Sequence, residues 1–419
     1  LHGGVTLRPL GIDGDRLTRR IDELAAVGVI DGTTGSCRLA LSAEDGAGRD
    51  LVVTWMRDLG MQVAVDGIGN VVGVVSGSQP AAPVMMGSHI DTVRTGGRYD
   101  GTLGVLAGLE VVETLIESGV RFTRPVAVAF FTNEEGARFA PDMLGSLVYV
   151  GGLPLEVAID TVGIDGSRLG DELEAIGYRG GAPCPGLVPH AFVELHVEQG
   201  PVLEADGFDI GVVTGVQGIS WTELTVSGQS NHAGTTPMGM RHDAAYVAAC
   251  IAAHVREVVR DLGGAQVGTV GKIDLYPNLV NVVAASATFT VDLRNTDEAA
   301  LCLAEDEVAR YAASAADSEG CLLTSRSLAR FDPVSFDDGL IDAVEAAATA
   351  RGLSSQRMPS GAGHDAQMLA RVCPTAMIFV PSAGGISHNP AEYTAPADLV
   401  AGANVLLDVV GCLAELPTS

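Results

Sequence analysis

Histidines and carboxylates recur in this 419-residue chain wherever a run of apolar residues stops. His89 closes the run that begins at Val84, Asp91 follows two residues later, and Asp100 lies in the stretch Gly96-Gly97-Arg98-Tyr99-Asp100-Gly101. Glu134 and Glu135 follow the run 125–131, His196 ends the run 191–196, and His388 comes shortly after the run 376–380. One such residue alone reads as a core histidine or a carboxylate capping a helix. Together they point to a metal centre, because imidazole nitrogen and carboxylate oxygen are donors that suit Zn2+, Mn2+ or Co2+. Five ligands for two ions require one bridging group, and a carboxylate bridges where an imidazole does not, so Asp100 is the natural bridge. Asp91 is placed to accept the other ring N–H of His89, which would fix the imidazole's orientation. Neighbouring residues in extended backbone point opposite ways, so one of Glu134 and Glu135 faces the metal and the other the substrate. A carboxylate so placed can take a proton from water and pass it to a leaving nitrogen.

A second group of polar residues lies further on, in Asn231-His232-Ala233-Gly234-Thr235, Pro277-Asn278-Leu279-Val280-Asn281 and Asp292-Leu293-Arg294. His232, followed by small residues, could donate to a developing oxyanion. Arg294 could hold a carboxylate through a bidentate pair, and Asn281 could add an amide donor. The glycines of Pro359-Ser360-Gly361-Ala362-Gly363-His364-Asp365 would let backbone approach a ligand; His364 is either a ligand contact or a structural partner of Asp365. No G-x-S-x-G nucleophile elbow and no H-E-x-x-H helix is present.

The elements that must position these groups alternate in type. Helices are expected over 16–27 and after the cap Ser42–Asp45, a hairpin over 61–75, and a long apolar helix from Thr102. Continuous apolar runs before the polar stops read as buried parallel strands, and open α/β sheets place ligands beyond the carboxyl ends of such strands. After about residue 212 the texture changes. Strand 219–226, helix 243–262, strands 267–275 and 284–293, helix 298–315 and strand 322–328 follow the β-α-β-β-α-β order of a ferredoxin-like split unit. The expected organisation is an α/β, mixed-sheet catalytic domain, 1–212 with 331–419, interrupted by an inserted α+β domain, 213–330.

The length suits two domains, and 47% apolar residues give each a core. A net charge of −27 argues against a nucleic-acid partner. Seven scattered cysteines without a C-x-x-C pair argue against a disulfide framework or a cysteine zinc site. No basic region followed by an apolar core is visible near the start, and no apolar run approaches the ~20 residues of a membrane span. No membrane association and a cytoplasmic location are the expectation.

The stretches Gly87-Ser88-His89-Ile90-Asp91-Thr92, Gly96-Gly97-Arg98-Tyr99-Asp100-Gly101, Thr132-Asn133-Glu134-Glu135-Gly136-Ala137-Arg138-Phe139, Glu194-Leu195-His196-Val197-Glu198-Gln199-Gly200 and Ser387-His388-Asn389-Pro390 resemble motifs of the M20 family of metal-dependent amidohydrolases. The resemblance is to the amidase/hydantoinase/carbamoylase branch, which holds N-carbamoyl-L-amino-acid hydrolases, β-ureidopropionases and allantoate amidohydrolases. It runs from about residue 16 to 413, and a histidine at 196, where M20 exopeptidases tend to use aspartate, marks the branch. The resemblance implies two divalent ions per subunit. Asp100 would bridge them, His89 and His196 would complete one site, and Glu135 and His388 the other. It further implies Glu134 as general base and acid, and His232, Asn281, Arg294, Gln199, Ser360 and Gly361 as substrate-binding residues. The insert would be a lid and dimerisation domain, making the protein a homodimer. The implied reaction is hydrolysis of a linear C–N bond in a small carbamoyl or acyl amino acid that bears a carboxylate. Allantoate and N-acyl amino acids are the alternative substrates, and a catalytically silent metal-binding homologue is the remote alternative.

Overall fold

The computed structural model describes residues 10–415. The chain divides into two compact units, Leu1–Thr214 with Ser335–Ser419, and Gly215–Val334. In chain order the strands are β1 (Gln62–Val65), β2 (Val71–Val75), β3 (Val84–His89), β4 (Val126–Phe131), β5 (Ala191–Val197), β6 (Ile210–Val216), β7 (Gly218–Ser227), β8 (Val267–Thr269), β9 (Ile273–Tyr276), β10 (Ser286–Asn295), β11 (Leu322–Phe331), β12 (Val334–Ser335), β13 (Ser355–Ser360) and β14 (Thr375–Val380).

The four continuous apolar runs become β4, β3, β5 and β14, every residue of which is buried. They lie side by side and mutually parallel at the centre of a nine-stranded sheet, in the order β1-β2-β4-β3-β5-β14-β6-β12 with β13 paired to β6. Burial on both faces is what a parallel strand covered by helices requires, and it explains the absence of alternation. Antiparallel strands finish both sides, β2 against β4 and β6 against β14. β6, β12 and β13 are not apparent in the sequence.

The helix Thr102–Ser118 packs on β3, β4 and β5, and ends at Gly119, whose φ of +66° is left-handed. The helix Ala43–Asp58 starts at Ser42, whose hydroxyl accepts the Asp45 N–H at 3.2 Å. The expected reciprocal half of that cap is missing, because the Asp45 carboxylate accepts instead from Leu41 N–H (2.7 Å) and Arg49 (2.8 Å). The helix Pro396–Leu413, with a mean hydropathy of 1.5, is long and apolar enough to cross a bilayer by composition. In the fold it covers β14 and β5 and packs against Thr102–Ser118 and Asp338–Ala350.

The second unit is a five-stranded antiparallel sheet in the order β11-β7-β10-β8, with β9 also paired to β10. Its core lies on one face. Ala287, Phe289, Val291 and Leu293 of β10 alternate inward and meet the apolar sides of helices Ala244–Leu262 and Glu298–Ser318. The expected single strand over 267–275 is two. β8 pairs with the Asp292–Arg294 end of β10 and β9 with its Ser286–Phe289 end, and the ladder breaks at Val270-Gly271-Lys272.

Candidate metal centre

Each of the four parallel strands delivers a polar residue at or beyond its carboxyl end, and these residues converge. His89 is the last residue of β3, and His196 is near the end of β5. Glu134 and Glu135 lie in the turn after β4, and His388 in the loop after β14. Asp100 lies in the loop that leads from β3 into the helix Thr102–Ser118. Its two oxygens face different partners. Oδ1 is 3.3 Å from His196 Nε2 and 3.7 Å from His89 Nε2. Oδ2 is 3.4 Å from His388 Nε2, which is in turn 3.3 Å from Glu135 Oε2. The ligand atoms of His89, Asp100 and His196 all lie within 4.8 Å of one another, as do those of Asp100, Glu135 and His388. Glu134 Oε2 stands 3.3 Å from His89 Nε2.

The donors are held from behind. His89 Nδ1 pairs with the Asp91 main-chain carbonyl at 2.9 Å and His196 Nδ1 with the Val197 carbonyl at 2.8 Å. With both Nδ1 atoms donating, each ring in its neutral form keeps its lone pair on Nε2. The expected role of Asp91 is therefore corrected in one respect: its backbone oxygen orients His89. Its carboxylate, 3.9 Å from Nδ1, instead accepts the N–H groups of Glu134 (3.3 Å) and Glu135 (3.4 Å). The carboxylate is drawn there because the turn after β4 offers two unpaired backbone donors. Gln199 Nε2 donates to Asp100 Oδ2 at 2.9 Å. Gln199 and His388 both adopt left-handed backbone, φ +58° and +53°, a conformation non-glycine residues hold only when their surroundings fix it.

The electrostatics favour added positive charge. Burial pushes the Glu134 carboxyl well above its ordinary range, and the charges of Asp365, Glu135, Asp100 and Asp91 push it further. Burial raises Asp91 to about 8, with Asp45 and Glu135 adding to it, and burial depresses His89 to about 4. Hydrogen bonds to Asp100 and Glu135 hold His388 up at about 11. Burial works to lower His196 too, but its hydrogen bond to Asp100 raises it to about 9. Carboxylates that raise one another and imidazoles that lean on them for charge form a donor set that fits divalent cations. His388 is the open side of the cluster, its side chain 50% exposed against 1% for His89 and His196.

His232, Asn281 and Arg294 belong to the second unit. His232 is exposed, and its Nδ1 accepts the N–H groups of Gly234 (3.0 Å) and Thr235 (3.2 Å). That fixes Nε2 as the ring's donor. Asn281 steadies the same loop, since its carbonyl accepts the Ala233 N–H at 2.9 Å. Arg294 pairs bidentately with Asp292, Nε to Oδ1 at 3.0 Å and Nη2 to Oδ2 at 2.9 Å, and its guanidinium lies over the Trp221 ring. In the first unit Ser360 is buried, and its hydroxyl is bound to His364 Nε2 (2.9 Å) and to Ala362. Gly361, next in the chain, is exposed. His364 thus pairs with Ser360, and its ring packs edge-on against His196 at 4.6 Å.

Two buried acids were not anticipated. Glu194 Oε1 accepts from Ser88 Oγ at 2.6 Å and Oε2 from Ala366 N–H at 2.8 Å. A glutamate two residues before His196 shares its face of β5, which is a readable signal. Glu392 accepts the N–H groups of Tyr99 and Asp100, and nothing local in the sequence marks it.

Residues 85–411 match the model of the family described as peptidase family M20/M25/M40. The chain is 41% identical over 407 residues to the N-carbamoyl-L-amino-acid amidohydrolase of Rhizobium meliloti, covering 97% of each. It is 33% identical over 416 residues to the ureidoglycolate hydrolase of Arabidopsis thaliana, covering 95% of this chain and 86% of that one. The crystal structure of a hydantoinase/carbamoylase family amidase from Burkholderia multivorans superposes with a TM-score of 0.94 at 43% identity, over 98% of this chain and 100% of that one.

Proposed function

Because the chain belongs to peptidase family M20/M25/M40, and within it to the hydantoinase/carbamoylase group of amidases, we propose that it hydrolyses the linear C–N bond of an N-carbamoyl-L-amino acid or β-ureido acid. The products are ammonia, carbon dioxide and the free amino acid. In class it is a hydrolase of carbon–nitrogen bonds other than peptide bonds. The observation that carries the reading is the division of the Asp100 carboxylate, Oδ1 toward His89 and His196 and Oδ2 toward His388 and Glu135.

In this reading His89, His196 and Asp100 hold one divalent cation, and Asp100, Glu135 and His388 a second, with Zn2+, Mn2+ or Co2+ suited to the donors. Bound there, the cations would polarise the scissile carbonyl and lower the pKa of water. Glu134, buried and raised in pKa, takes the water's proton and returns it to the departing nitrogen. His232 donates Nε2–H to the oxygen on which negative charge develops. Arg294 receives the substrate carboxylate, with Asp292 holding the guanidinium, and Asn281, Gln199, Ser360 and Gly361 complete the substrate contacts. The unit Gly215–Val334 serves as lid and as the dimerisation surface of a homodimer.

The likeness to a ureidoglycolate hydrolase supports a second reading, in which the amino-acid product is replaced by a hydroxylated ureido acid's residue. Ammonia release from metal-reconstituted protein tests both. Substrates would be N-carbamoyl-L-amino acids, β-ureidopropionate, allantoate, ureidoglycolate and N-acyl amino acids. Turnover of acyl substrates alone, with no ammonia from any ureido compound, would reject the proposal.

A further inference from the structure

Glu392 lies four residues beyond His388 in a segment that is neither helix nor strand, and it is 3% exposed. Its Oε1 accepts the N–H of Tyr99 at 2.9 Å and the N–H of Asp100 at 3.1 Å. Ser387 Oγ lies between the two carboxylates, 3.2 Å from Asp100 Oδ2 and 3.5 Å from Glu392 Oε2. The opposing loop leaves room for this side chain, since a Cβ at Gly97 would stand 2.2 Å from the Glu392 carboxylate. Thr95 Oγ1 donates to the His388 carbonyl at 3.1 Å, so Glu392, Ser387 and Thr95 each join the Asp100 loop to the His388 loop. A buried carboxylate is costly unless its acceptors are used, and here one oxygen holds two successive peptide N–H groups.

We infer that Glu392 is a positioning residue for the metal centre: as a hydrogen-bond acceptor it sets the main chain at Asp100 and binds the His388 loop to it, so that both Asp100 oxygens reach their partners. The inference rests on the two-cation reading of this cluster. Groups that orient metal ligands change metal affinity by ~10–100-fold when removed.

Zn2+ titration of chelated protein, followed calorimetrically, and amide hydrogen exchange of the metal-free protein form the test. Glu392→Ala should weaken binding of both ions by about 10-fold or more and speed exchange at the Tyr99 and Asp100 amides. Glu392→Gln, which keeps an acceptor oxygen, should restore most of both. Wild-type Zn2+ affinity with unchanged exchange in Glu392→Ala would overturn the inference, as would a loss in Glu392→Gln as deep as in Glu392→Ala. Should Glu392→Ala not fold, Gly97→Ala, whose methyl group displaces the carboxylate, carries the same expectation and the same refutation. Wild-type protein that takes up fewer than two Zn2+ would reject the two-cation reading, while exchange at Tyr99 and Asp100 would still decide the role of Glu392.

Discussion

Gly101 is packed onto His89 so tightly that a Cβ at position 101 would stand 2.3 Å from the imidazole. Its φ of +65° is left-handed as well, and its N–H reaches His196 Nε2 at 3.0 Å. Gly101→Ala therefore meets two penalties, backbone strain of roughly 1–2 kcal/mol and a clash that only a shift of His89 or of the Asp100 loop relieves. Metal content after dialysis should fall and turnover should drop by about 100-fold. Wild-type metal content and rate in a folded Gly101→Ala protein would show that the contact is not restrictive.

Asp100→Ala removes the group that, among the described residues, faces both halves of the cluster. Elemental analysis should find both cations lost together, whereas His388→Ala should spare the ion held by His89 and His196. One ion retained by Asp100→Ala at full affinity would refute the bridge.

Glu134→Gln keeps the size and burial of the side chain but cannot accept a proton. The expected result is a kcat lower by ~10²–10⁴-fold, with metal content and KM close to wild type. Full turnover by the variant would remove Glu134 from the reaction.

Chelation should destabilise the protein, and more so at higher pH. The folded carboxyls of Asp91, Glu134 and Glu135 are raised, Asp91 to about 8, above an unfolded range near ~4. The metal-free folded state therefore binds more protons than the unfolded one. Its stability is full below the unfolded pKa and is lost as pH rises toward about 8. Metal affinity rises over the same span as ligands deprotonate. The drop in Tm on adding chelator should thus be larger at about pH 8 than at about pH 6. An equal drop at both would contradict the electrostatic account.

The centre of the sheet was legible because β3, β4, β5 and β14 are unbroken apolar runs that stop at a charged or polar residue. The stops at His89, Glu134, Glu135, His196 and His388 are the groups the fold brings together around Asp100. Other features leave no local trace. β13 carries Ser, Gln, Arg and Pro, so neither its period nor its composition announces a strand. The spacing of Asp91 from His89 indicates a hydrogen bond but cannot say which oxygen makes it, and the fold uses the carbonyl. Glu392 is defined only by what crosses to it from Tyr99 and Asp100. The state of His232, by contrast, follows from the small residues after it, whose N–H groups can approach the ring.

The chain leaves the first unit through β6 and re-enters beside it, where β12 pairs with β6 and the Phe336 N–H donates to the Thr214 carbonyl at 3.0 Å. The two junctions are thus adjacent strands, ~4.8 Å apart, and a tight turn could close the gap between them. Every residue assigned to the cations lies outside that interruption, while His232, Asn281 and Arg294 lie within it. The residues that converge on Asp100 are therefore assembled by one unit alone, and the interruption leaves the four parallel strands that carry them unbroken.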